Sequence, residues 1–115
     1  MNDWTEEEIA FRCQRLSVRL EQLAQILEQL AALSQDEANR EAGLASLRMA
    51  KKGLELTALD LEVERAYELA QMQRQLSRWH LHWQTVWSNI DSRLTLSNTT
   101  RTWVDQIRSI AGVLV

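Results

Sequence analysis

The apolar residues of this chain recur with helical spacing along nearly its whole length. Over residues 9–30 they alternate steps of four and three, which is the heptad spacing of a coiled-coil seam. That seam consists of Ile9, Cys13, Leu16, Leu20, Leu23, Leu27 and Leu30. Thr5 followed by Glu8 has the spacing of a capping box, which marks a helix start near residue 5. The pattern predicts a first helix over residues 5–33.

A second helix is predicted over residues 35–90. Ser34 and Glu37 repeat the capping-box spacing, and so short a turn makes the two helices antiparallel neighbours. The most regular apolar row of this helix contains Ala38, Ala42, Ala45, Met49, Lys52, Leu56, Leu59, Val63 and Ala66. A second row, Leu47, Leu54 and Leu61, recurs every seven residues beside it. If this long helix is broken, we expect the break near Gly53 or near residue 68, where the heptad register slips.

Three tryptophans recur four residues apart in the second half of that helix. Trp79, Trp83 and Trp87 therefore lie along one stripe, which must be buried against another surface. A polar loop is predicted over residues 91–98 and a third helix only over residues 99–112, too short to cover the stripe. The stripe is therefore the predicted interaction surface. The residues predicted for this surface are Met72, Leu76, Trp79, Trp83, Val86, Trp87, Ile90, Trp103 and Ile107, the last two on the third helix.

The composition supports long helices. The 115 residues include no proline and only three glycines, and 45% of them are apolar, enough for the core of one domain. We therefore predict an all-α fold formed by one domain over residues 1–115. Its architecture is an antiparallel helical hairpin or bundle of about three helices around a long central helix, with coiled-coil-like packing.

The charge is unevenly distributed. The net charge of −3 divides into −6 over residues 1–68 and +3 over residues 69–115, a difference that an antiparallel partner can match. Basic residues are scattered, and the densest group, Arg48, Lys51 and Lys52, is too small to predict nucleic-acid binding. The acidic start lacks the features of a secretory signal, and no apolar run reaches the roughly 20 residues of a membrane span. We expect a cytoplasmic protein.

The sequence offers little catalytic or metal chemistry. His80 and His82 are two residues apart, so on a helix they point to different sides and cannot hold one ion together. The single cysteine, Cys13, falls on the first seam, where a thiol usually behaves as a small buried hydrophobic group. Gly-rich phosphate loops and nucleophile motifs are absent from the sequence. We therefore expect no catalytic residue, no cofactor and no metal, and a protein that is not an enzyme.

Three functional hypotheses follow. The first is a non-enzymatic helical assembly protein that forms a homodimer or other homo-oligomer through its aromatic helix face. The second is an adaptor or chaperone-like module whose tryptophan-lined groove receives a helix of another protein. The third is a peripheral membrane-surface protein that binds through its C-terminal apolar helix.

Overall fold

The computed structural model describes residues 4–114, and it confirms the all-α prediction for them. Within this range there are six α-helices and one 3-10 turn instead of about three helices. They are α1 (Glu6–Cys13), α2 (Leu16–Leu33), the 3-10 turn (Glu37–Asn39), α3 (Arg40–Ala58), α4 (Val63–Leu81), α5 (Trp83–Ser88) and α6 (Ile90–Leu114).

Neighbouring long helices run antiparallel. The short turn after α2 reverses the chain, so that Leu23 of α2 lies against Gly53 of α3. The next reversal brings His80 of α4 to Lys51 of α3, where Nδ1 and Nζ are 3.1 Å apart. The last helix, α6, lies along α2, where its Arg108 pairs with Glu21 at 2.9 Å. The order around the bundle is therefore α6, α2, α3 and α4, with α5 joining α4 to α6.

The predicted first helix is broken into α1 and α2. Gln14 and Arg15 have extended backbones, with ψ of 155° and 150°. The break lets α1 turn onto the end of α3, where Glu8 pairs with Lys52 at 3.2 Å. The capping box of Thr5 is confirmed, and so is the burial of Leu20, Leu23, Leu27 and Leu30. Two further seam residues are not buried, since Leu16 is half-buried and Ile9 is exposed. Cys13 is exposed, because it lies at the turned end of α1, and not on the continuous seam.

The inward face of α3 is not the most regular row predicted for it. Ala42, Ala45, Met49 and Lys52 of that row are exposed, as is Ala38 in the preceding 3-10 turn, and Leu56 alone is buried among its members on α3. Leu47 and Leu54 from the second row are buried instead, together with Ala50. Gly53 lies on this inward side and does not break the helix. A Cβ there would be 2.4 Å from Cδ2 of Leu23, so glycine permits the close approach of α2.

The predicted long central helix is three separate helices. The first break is at residues 59–62, between the two expected positions, and α4 then folds back along α3. Asp60 in this turn accepts hydrogen bonds from Arg12 and, at 2.9 Å, from Arg19. Reversal buries Leu69 and Leu76 of α4, so the turn is stabilised by tertiary contacts that local sequence signals do not reveal. Further breaks occur at His82 and Asn89.

The predicted loop over residues 91–98 is wrong, because these residues belong to α6. The helix starts after Asn89, whose Oδ1 accepts a hydrogen bond from the amide of Ser92 at 3.1 Å. Farther along the helix, Thr100 Oγ1 donates to the carbonyl oxygen of Leu96 four residues earlier, at 2.9 Å, which is how a hydroxyl is accommodated within a helix. With 25 residues, α6 is nearly twice the predicted length, so the expected shortage of helix disappears.

Candidate functional site

The tryptophan stripe is covered by the chain's own helices. Trp79 near the end of α4 and Trp83 and Trp87 on α5 are all buried. The ring centroids of Trp83 and Trp87 are 4.8 Å apart, and those of Trp79 and Trp103 are 5.5 Å apart. These pairs fill the space at the α3, α5 and α6 interfaces with the large apolar area that aromatic rings provide.

The polar edges of two indoles are also satisfied within the chain. Trp83 Nε1 donates to the carbonyl oxygen of Arg40 at 3.2 Å, and Trp87 Nε1 donates to that of Glu37 at 2.8 Å. The two acceptors follow α2 in the chain, Glu37 in the 3-10 turn and Arg40 at the start of α3. The indoles therefore fix the α2–α3 connection as well as filling the core.

A buried arginine completes this connection. Arg93, in the first turn of α6, donates from Nε to the carbonyl oxygen of Ser34 at 3.1 Å and from Nη1 to the carbonyl oxygen of Trp87. Because it bonds the last turn of α2 and the end of α5 together, its guanidinium links three elements. The sequence contained no spacing signal for this role, since the partners are 59 and 6 residues away and are backbone atoms.

The nine residues predicted as an interaction surface are therefore divided among three environments. Six are buried, namely Met72, Leu76, Trp79, Trp83, Trp87 and Ile107. Val86 and Trp103 are half-buried, and only Ile90 is exposed. The folded chain consequently does not present these nine residues as one open face.

The histidines lie in different surroundings. His80 is half-buried against α3, where its Nδ1 faces the Lys51 ammonium. Burial lowers the pKa of His80, and the positive charges of Lys51 and Arg48 lower it further. His82 is exposed at the α4–α5 junction. Within residues 4–114, no group of three or more His, Cys, Asp or Glu side chains is arranged to hold a metal ion.

The outer face of α4 carries three exposed large apolar side chains. Val63 is 84% exposed, Tyr67 is 63% exposed and Leu81 is 79% exposed, although each is large and apolar. They share the side of α4 opposite its buried residues Leu69 and Leu76. Sequence reasoning missed this face because it assigned Val63 to an inward seam and concentrated on the tryptophans. The signal was present, since Tyr67 and Leu81 are two heptads apart.

Comparisons of the chain with family models, curated proteins and solved structures found no match. Among the helices of residues 4–114, none is both long enough and apolar enough to cross a membrane.

Proposed function

We propose that this chain is a non-enzymatic helical assembly protein that binds a second copy of itself. As expected from the sequence, the protein forms a homo-oligomer in the cytoplasm. The contact between the copies, however, lies away from the tryptophan stripe. The stripe now contributes indirectly, because it holds the α4–α5–α6 segment in place through the indole hydrogen bonds to Glu37 and Arg40.

The observation that carries the proposal is the uneven distribution of exposed apolar side chains. Among residues 4–114, eleven large apolar side chains are exposed, and seven of them lie on α4 and α6. Those seven are Val63, Tyr67, Leu81, Ile90, Leu94, Val113 and Leu114. On α2 only Val18 is an exposed large apolar residue, and on α3 only Met49 is. Single exposed apolar residues are ordinary, but Val63, Tyr67 and Leu81 share the outer face of α4, and a row of exposed apolar side chains on one helix face is typical of a protein-binding surface.

The test is the solution mass of the purified chain, measured by light scattering and sedimentation equilibrium over a wide concentration series. We expect the weight-average mass to rise from that of a monomer to that of a dimer. Because burial of apolar surface drives the association, the dimer should persist in moderately high salt. A mass that stays monomeric at the highest concentration contradicts the proposal and directs the search to a different protein partner.

A further inference from the structure

Two interleaved rows of residues follow the outer face of α4. Val63, Ala70 and Ser77 are seven residues apart, and so are Tyr67, Arg74 and Leu81. Together they make steps of four, three, four, three and four, which is the spacing of a coiled-coil seam. Five of these residues are exposed and Ser77 is half-buried. No other helix of residues 4–114 covers this seam, because the buried side of α4 faces α3 and the core.

We propose that α4 packs antiparallel against α4 of a second copy, an inference that rests on the self-association proposed above. A two-fold axis that passes α4 at the level of Gln71 and Met72 places Val63 of each copy opposite Leu81 of the other. The two most exposed apolar side chains of the face are thereby buried at both ends of the contact. Over this seam of 19 residues, at about 1.5 Å per residue, the contact is close to 27 Å long.

The centre of the seam is compatible with the same register. Ala70 of one copy faces Arg74 of the other, and the small alanine leaves room for the aliphatic stem of the arginine. The guanidinium of Arg74 then reaches the ring of Tyr67 in the other copy, where a cation–π contact is favourable. Arg74, although charged and central in the seam, therefore has Tyr67 of the other copy as its partner in this dimer.

Charge complementarity selects the antiparallel direction. Glu64, Gln71 and Arg78 are seven residues apart and flank the seam on one side. In an antiparallel pair, this flank of one copy meets the same flank of the other. Glu64 of each copy then faces Arg78 of the other, and the two Gln71 side chains face each other. A parallel pair would instead bring the acidic beginnings of both helices together and the basic ends together. None of the ion pairs formed within residues 4–114 involves Glu64, Arg74 or Arg78.

The opposite flank adds no repulsion to this arrangement. It consists of Ala66, Gln73 and His80, all half-buried toward α3. Gln73 Nε2 donates to the carbonyl oxygen of Lys51 at 3.5 Å, and His80 Nδ1 faces the Lys51 ammonium. These two side chains are therefore occupied by α3, and the polar recognition between copies is concentrated on the flank with Glu64 and Arg78.

The deciding experiment is a charge-reversal cycle read by sedimentation equilibrium at low and moderate salt. We expect Glu64→Arg and Arg78→Glu each to raise the dimer dissociation constant at least about tenfold, because each places like charges together twice. The double variant restores two opposite-charge pairs and should return to within about threefold of the wild type. Glu41→Arg and Arg101→Glu make the same charge changes at exposed positions of α3 and α6 and should leave the dissociation constant unchanged.

A second measurement tests the register independently of charge. In a Cys13→Ser background, Gln71→Cys places one thiol on each copy beside the two-fold axis, and a short bismaleimide should join them efficiently. Gln84→Cys, exposed on α5, is the matched control and should react without forming a dimer. Far-ultraviolet circular dichroism verifies that every variant keeps its helix content.

The outcomes separate the two proposals. A wild type that dimerises while both single reversals leave its dissociation constant unchanged retains self-association and overturns the α4 contact. Single reversals that weaken the dimer without recovery in the double variant, or a Gln71→Cys variant that fails to crosslink, overturn the antiparallel register. A wild type that remains monomeric overturns both proposals.

Discussion

Gly43 of α3 lies directly beneath the indole ring of Trp87. A Cβ on Gly43 would be 2.7 Å from Cη2 of Trp87 and 3.1 Å from Cζ2 of Trp83, closer than carbon atoms normally approach. The Trp87 ring has little freedom to move away, because it is fully buried and its Nε1 donates to the carbonyl oxygen of Glu37. The glycine therefore permits the contact between α3 and α5.

We predict that Gly43→Ala lowers the free energy of unfolding by about 1 to 2 kcal/mol. Alanine is favoured over glycine in a helix by about 1 kcal/mol, but overpacking a core costs roughly 1 to 3 kcal/mol, and the packed ring makes the second effect larger. Urea denaturation followed by circular dichroism measures the change. Gly112→Ala is the matched control, since a Cβ there meets nothing within 4 Å, and it should be neutral or slightly stabilising. Equal effects of the two variants would contradict the packing explanation.

The helices were predictable from sequence where local signals determine them. The capping box of Thr5 and Glu8, the burial of Leu20, Leu23, Leu27 and Leu30 and the short turn after Leu33 appear as expected. The predicted capping box of Ser34 and Glu37 is wrong, because Ser34 ends α2 and Asp36 caps the 3-10 turn. These features depend on spacing within one or two turns, and so the sequence contains the information directly.

The breaks between helices were less predictable, because long-range contacts determine them. The turn at residues 59–62 contains no proline or glycine, and it is stabilised by Asp60, which binds Arg12 and Arg19 more than 40 residues away. The predicted loop at 91–98 is helical because Arg93 and Leu96 are buried against the other helices, and its polar composition does not reveal these contacts. Amphipathic spacing cannot tell whether a helix continues or folds back on itself.

In the candidate site too, local spacing was predictable from the sequence and long-range packing was not. Sequence spacing predicted one stripe for Trp79, Trp83 and Trp87, but the break at His82 divides them between α4 and α5. The surface of α3 beside Gly43 covers Trp83 and Trp87, and this contact exists only because α4 folds back along α3. The opposite face of α4 has a heptad pattern of its own, and burial alone distinguishes which pattern points inward. The residues Val63, Tyr67 and Leu81 became candidates only when their exposure was known.

Replacing Trp87 with phenylalanine tests the role of its indole N–H group. The variant keeps an aromatic ring but removes the hydrogen bond to Glu37 and leaves a small cavity, so we expect a loss of about 2 to 4 kcal/mol. The solution mass of the folded variant should match that of the wild type, since Trp87 is fully buried. Trp103→Phe is the control at a half-buried position and should cost less. A Trp87→Phe variant that folds normally but no longer associates would instead place Trp87 at the contact between copies.

Asp60 should make the docking of α1 sensitive to acid. Hydrogen bonds from Arg12, and then from Arg19, hold the pKa of Asp60 below its usual value. A lowered folded-state pKa stabilises the protein above the unfolded pKa of about 3.9, and this contribution is lost as the pH falls through the folded value. We therefore expect the free energy of unfolding to decrease below about pH 4, and to decrease less in Asp60→Asn.

At neutral pH the same variant should be destabilised by about 2 kcal/mol, because the Arg19 side chain, only 3% exposed, loses its charged partner. Asp105→Asn removes an exposed carboxylate on α6 and is the control for the general effect of losing one charge. Urea titrations at pH 7 and pH 3 measure all three proteins. An Asp60→Asn variant with the wild-type difference between the two pH values would contradict this assignment.

His80 reports the contact between α3 and α4 through its titration. Burial lowers the pKa of His80, and the charges of Lys51 and Arg48 lower it further, so its proton NMR midpoint should fall below about 6.5. Lys51→Met keeps an apolar stem but removes the ammonium 3.1 Å from Nδ1, and should raise the midpoint toward the ordinary value. Lys52→Met removes the neighbouring charge, which instead pairs with Glu8 and Glu55, and should leave the midpoint unchanged. Equal shifts in the two variants would mean that His80 senses the general charge of α3, and that its specific contact with Lys51 is not formed in solution.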